Sequence, residues 1–120
     1  MEKNPGFRIT IPMTVQFVFA VIYGDLLMLL ANQTRPYELE AGATDRLVQT
    51  WIDRLAGGKH KGLSGRHFSR TLRAITADFA AVPIHKTDKL KVGVVGEIYI
   101  KYARLGNNDL EQLLAAEGAE

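Results

Sequence analysis

"KVGVVGEIYIKYARLGNNDLEQLLAAEGAE", residues 91–120, is the stretch whose reading decides the fold. A short apolar, β-branched run from Leu90 to Gly96 follows the polar linker "HKTDK" at 85–89. A run of that kind, without alternation, reads as a strand covered on both faces. A loop comes next, and then a helix with a marked start. Asn108 stands at the N-cap and Glu111, three residues on, completes a variant capping box. A strand buried on both faces needs neighbours, and a parallel neighbour requires a strand–helix–strand crossover. The following strand is not written, because "EGAE" at 117–120 closes the sequence. The expectation is an α-rich α/β chain cut short, its sheet edge open unless "FRITIP" at 7–12 pairs with residues 91–96.

Upstream, residues 1–83 read as a helical segment of three helices. "MTVQFVFAVIYGDLLMLLA" at 13–31 forms the first, with Pro12 in the turn where its missing N–H costs nothing. It is expected to end near Gln33, since Pro36 disfavours a helical Arg35. A second helix follows Gly42, with Leu47, Val48, Trp51, Ile52 and Leu55 at helical spacing and Gly57-Gly58 as the stop. The basic, glycine-rich loop "GGKHKGLSG" covers 57–65. Ser64 caps a third helix whose apolar stripe is Phe68, Leu72, Ile75 and Phe79, and Pro83 marks its end.

The 19 residues from Met13 to Ala31 approach the length of a membrane span. Asp25 lies near the middle, where a charge costs about 2.5–3.5 kcal/mol on insertion scales. At 100° per residue Thr14, Asp25 and Asn32 share one narrow stripe, and apolar residues surround the rest, the pattern of a helix buried in protein. The expectation is a core helix without a membrane; a spanning or interfacial helix is the alternative. With 47% hydrophobic and 23% charged residues the composition is that of a globular chain, not a disordered one. The absence of cysteine excludes disulfides, thiolate zinc sites and a cluster held by this segment alone. The cytoplasm is the default compartment. A net charge of +2 does not by itself imply a polyanionic partner.

No catalytic set and no metal site emerges from the candidate residues. Gly93-x-x-Gly96 lacks the third glycine of a dinucleotide fingerprint and does not open directly onto a helix. Gly93, Gly96, Glu97, Asn107 and Asn108 remain candidates for a ligand loop at the carboxyl end of a strand, where open α/β sheets place ligands; glycines serving a tight turn explain the pattern equally. From Arg54 to Arg73 there is no acidic residue, and Arg66, Arg70 and Arg73 share one helix face. That face suits phosphates of coenzyme A, a nucleotide or nucleic acid, or an acidic partner, or it is the solvated side of an amphipathic helix. Phe68 is the single aromatic among these basic residues, which weakens the nucleic-acid version. His60, His67 and His85 lack ligand spacing, and "GLSG" at 62–65 is one residue short of a nucleophile elbow.

Three strings together resemble a known family. "YGDLLMLLANQTRPYE" at 23–38, "KVGVVGEIYIKY" at 91–102 and "GNNDLEQLLAAEGAE" at 106–120 are similar to the dehydratase-like region of coenzyme A-substrate-specific enzyme activases, relatives of 2-hydroxyacyl-CoA dehydratases and benzoyl-CoA reductases. The likeness spans most of residues 13–120. It implies that residues 90–120 begin a Rossmann-like unit, as strand, loop and helix, with the loop from Gly96 to Asn107 facing an interdomain crevice. It also implies a system in which an ATPase sends a low-potential electron to a cysteine-ligated cluster. The 4Fe-4S cluster and ATP would belong to other parts of that system, because neither cluster cysteines nor the ATPase phosphate motif occurs in this chain. The resemblance therefore implies a cytoplasmic, non-catalytic scaffold. Its partners would be the rest of an activase/dehydratase-like chain, partner subunits or further copies of itself. The alternative is a phosphate-recognising module built on Arg66, Arg70 and Arg73.

Overall fold

Thr10 opens the first helix by accepting a hydrogen bond from the Met13 N–H, and Pro12 occupies the first turn, so α1 runs Ile11–Thr34. In this computed structural model the described residues are 6, 8–58, 64–98, 101 and 103–120, with only the backbone described at Asn107. The expected stop near Gln33 is one residue short. Arg35 keeps helical angles (φ −52, ψ −44), and the chain tightens into a 3-10 turn, Arg35–Tyr37. The preference imposed by Pro36 gives way here, where Arg35 donates to Asp45 from both Nε (3.0 Å) and Nη2 (2.7 Å).

Gly42, in the left-handed region at φ 82, turns the chain into α2, Ala43–Ala56. Gly58 at φ 75 ends it, a conformation that favours glycine. Ser64 accepts from the His67 N–H at 3.2 Å and starts α3, Gly65–Ala80. The three helices meet in a small core. Tyr23, Leu27 and Ala31 come from α1, Trp51 from α2, and Ile75 and Phe79 from α3, with Ile75 fully enclosed. Phe19 stacks on Phe68 at 4.3 Å between centroids, and the Trp51 indole donates to Asp78 at 3.1 Å.

The expectation that α1 is a buried helix needs correction. α2 and α3 cover one face of its C-terminal two thirds only. Ile11 (82% exposed), Phe17 (71%) and Val21 (46%) face outward, and so does Asp25. By length and composition alone α1 also passes for a membrane-crossing helix, with a mean hydropathy of 1.9 in its most apolar part.

A second correction concerns residues 90–96. They are extended, but no strand occurs among the described residues, and Leu90 and Val95 are 75% and 90% exposed. A strand exists only where a neighbour takes its hydrogen bonds. Here that pairing is one residue deep: the Glu120 N–H donates to the Leu90 carbonyl (2.8 Å) and the Val92 N–H to the Glu120 carbonyl (2.7 Å). This is the pattern of a parallel pair. Leu39 and the bridge between Glu38 and Ile84 tie the chain after α3 back to the 3-10 turn.

The last helix also departs from expectation. It is split into α4, Arg104–Asn107, and α5, Leu110–Ala116. Asn108 closes α4 instead of capping α5, and Asn108 and Asp109 both take left-handed angles at φ 55. Asn and Asp tolerate that conformation better than other side-chain-bearing residues, so two of them in succession break the helix. The result is helix-rich and extended. The radius of gyration is 17.9 Å, against about 14 Å for a compact domain of this length.

Candidate functional site

Two features of the described residues concentrate polar chemistry. The first is the outer face of α3. Helical spacing places Arg66, Arg70 and Arg73 together, opposite the buried Thr71, Ile75 and Phe79. With Gly65 and Ser69 they line an open depression of about 410 Å3. The Ser64 hydroxyl, part of the "GLSG" string, accepts from the His67 N–H in capping α3; Gly62 and Leu63 lie outside the described residues.

The second feature is the string Arg35-Pro36-Tyr37-Glu38. Arg35 clamps Asp45 in the first turn of α2. The Glu38 carboxylate accepts from the Gly42 N–H (2.7 Å) and the Thr44 N–H (2.8 Å), satisfying donors at the start of α2 that no helical carbonyl can reach. Burial pushes the Glu38 carboxyl up. Hydrogen bonding from Thr44 and Gly42, with the charge of Arg35, outweighs it and holds the pKa below the ordinary glutamate range. The Tyr37 carbonyl accepts from the His85 N–H (2.8 Å), its hydroxyl donates to the Glu120 carboxylate, and Lys89 lies 5.9 Å from its ring centroid. The hydrogen bond to Glu120 first, then burial and the negative charges of Glu120 and Asp88, raise the Tyr37 pKa. These four residues therefore join α1, α2 and the C-terminal segment. The string closes the 23–38 stretch, whose likeness assigned it no role. The partners of Arg35 and Glu38 lie within ten residues, whereas His85 and Glu120, the partners of Tyr37, are distant in the chain.

The ligand-loop candidates do not converge into a described site. Gly93, Gly96 (φ 149) and Glu97 are exposed, the Glu97 carbonyl accepts from the Lys101 N–H at 2.9 Å, and Asn108 is an exposed helix terminus. Residues 99, 100 and 102 of that loop lie outside the described residues. A cleft of about 390 Å3 instead lies between α1 and the C-terminal segment, with Met28 and Ile52 on one wall and Lys101, Arg104 and Asp109 on the other. Sequence reasoning missed it, since neither wall carries a recognisable motif. His67 and His85 stand apart, His60 lies outside the described residues, and no metal-competent group of His, Asp and Glu forms among the described residues. No family model matches this chain, and no curated protein or solved structure is significantly similar to it.

Proposed function

We propose that the chain is a non-catalytic scaffolding portion of an activase–dehydratase-type protein, one that positions a cluster-bearing or ATPase unit for ATP-driven electron transfer. The observation that carries the reading is the disproportion between covered and uncovered apolar surface. A small core holds α1, α2 and α3 together, while Ile11, Phe17, Val21, Met28 and Leu29 of α1, and Leu90, Val95 and Ile98 beyond α3, face outward. Exposed apolar surface on this scale marks a contact with protein or membrane, and the motif likeness favours protein. The motif likeness at 23–38, 91–102 and 106–120 supports the family, and it supports reading residues 90–120 as the opening of a Rossmann-like unit. The parallel pairing of Glu120 with Leu90 and Val92 is what such a unit requires where its second strand returns beside the first.

Co-expression with a dehydratase-type subunit and its ATPase, followed by affinity capture, tests the proposal. The Phe17→Lys/Val21→Lys double variant is expected to lose capture by about tenfold or more while keeping its helical circular dichroism. Undiminished capture, or ATP turnover by the purified chain above a mock preparation, overturns it.

A further inference from the structure

The arginines of α2 and of the 3-10 turn have carboxylate partners: Arg35 with Asp45, Arg46 with Glu40, Arg54 with Asp78. Arg66, Arg70 and Arg73 are different. They stand at i, i+4 and i+7 on α3, on the rim of one depression, and none forms an ion pair among the described residues. Like charges stacked at this spacing repel and oppose the helix that carries them. An anion lying across them reverses the sign of that interaction. The three residues cover about 10 Å of helix axis at 1.5 Å per residue, a row that a chain of linked phosphates can follow and a single phosphate cannot. Each guanidinium offers a planar fork of donors matched to phosphate oxygens, and the Ser69 hydroxyl in the same depression adds a neutral donor.

We propose that this face of α3 binds the condensed phosphate chain of a small molecule, a di- or triphosphate. Nucleic acid fits less well. Bases bind to such surfaces by stacking on aromatic rings. Phe68, the one aromatic of the basic stretch, is turned into the core against Phe19 at 4.3 Å and Tyr23 at 5.3 Å. Among the described residues no aromatic side chain is left on the arginine face, and the net charge of +2 supplies no broad field for a polyanion. The proposal rests on α3 alone and stands whether or not the chain scaffolds a larger protein.

Isothermal titration of the chain with inorganic tripolyphosphate tests it, with orthophosphate and a single-stranded oligonucleotide run in parallel. Saturable binding of tripolyphosphate is expected, with orthophosphate weaker by about tenfold or more. Arg70→Glu is expected to weaken tripolyphosphate by at least about tenfold, and Arg70→Gln by less; both are expected to keep the fold, since the side chain is exposed and makes no ion pair among the described residues. Lys86→Glu, an equal charge reversal at an exposed position in another surface groove, is expected to change little. The proposal is overturned by absence of saturable binding, by equal losses in Arg70→Glu and Lys86→Glu, or by an oligonucleotide that binds more tightly than tripolyphosphate.

Discussion

Residues 11–80 and residues 86–120 share one chain and an abundance of apolar side chains, yet they are held in opposite ways. In the first region the helices α1, α2 and α3 enclose Leu27, Trp51, Ile75 and Phe79, and side-chain packing is the stabilising force. In the second, Val95 is 90% exposed and Leu105 91% exposed, two backbone bonds at Glu120 close the segment on itself, and its ties to the first region include the hydroxyl and ring of Tyr37, reaching Glu120 and Lys89. Apolar content does not make a core. What matters is whether two elements bring their apolar faces together, and α4 and α5, at four and seven residues, are too short to do so.

The comparison can be broken most directly at Phe79, which is 4% exposed. Phe79→Ala is expected to cost about 3–5 kcal/mol in urea unfolding followed by circular dichroism. If the loss were below about 1 kcal/mol, the packed status of the helical region would be wrong. Glu38→Ala removes the acceptor for two donors at the start of α2 and is expected to cost about 1–2 kcal/mol in the same assay. Its pH dependence has a definite sign. The Glu38 pKa is lowered by folding, so its contribution is present above the unfolded value, about 4.3, and is lost as pH falls through the lower folded value. Wild type should therefore lose stability below pH about 4.3 more steeply than Glu38→Gln.

Tyr37→Phe sharpens the contrast instead. It is expected to speed amide exchange at Val92 and Glu120 while leaving protection in α1–α3 unchanged, because the hydroxyl reaches only the C-terminal segment. The tie depends on the protonated phenol, whose pKa is raised. It should hold below the ordinary tyrosine value of about 10 and open as pH rises through the higher folded value. The smallest effect is expected for Val95→Ala, within about 0.5 kcal/mol in equilibrium unfolding, since its side chain is uncovered.

Much of the helical region was legible in advance. Ser64 as a cap, Gly57-Gly58 as a stop, and the stripe of Phe68, Leu72, Ile75 and Phe79 are local signals carried within a few residues of the elements they specify. The arginine face follows from the same periodicity, so Arg66, Arg70 and Arg73 were brought together as anticipated. The surroundings of the ligand-loop candidates were not legible in this way, because Gly93 and Gly96 acquire a meaning only beside a strand that has neighbours, and among the described residues Glu120 alone pairs there.

By itself, then, the sequence determined what short-range physics determines: the existence and approximate bounds of α1, α2 and α3, which of their faces are apolar, and that the chain carries no thiol. Only the tertiary structure decided the rest. It chose which of α1's nearly continuous apolar surfaces is covered, since periodicity cannot rank faces that are all alike. It left residues 90–96 extended without a sheet, because a strand is defined by partners outside itself. And it gave Tyr37 its work, through Glu120, a contact 83 residues away along the chain that no local pattern encodes.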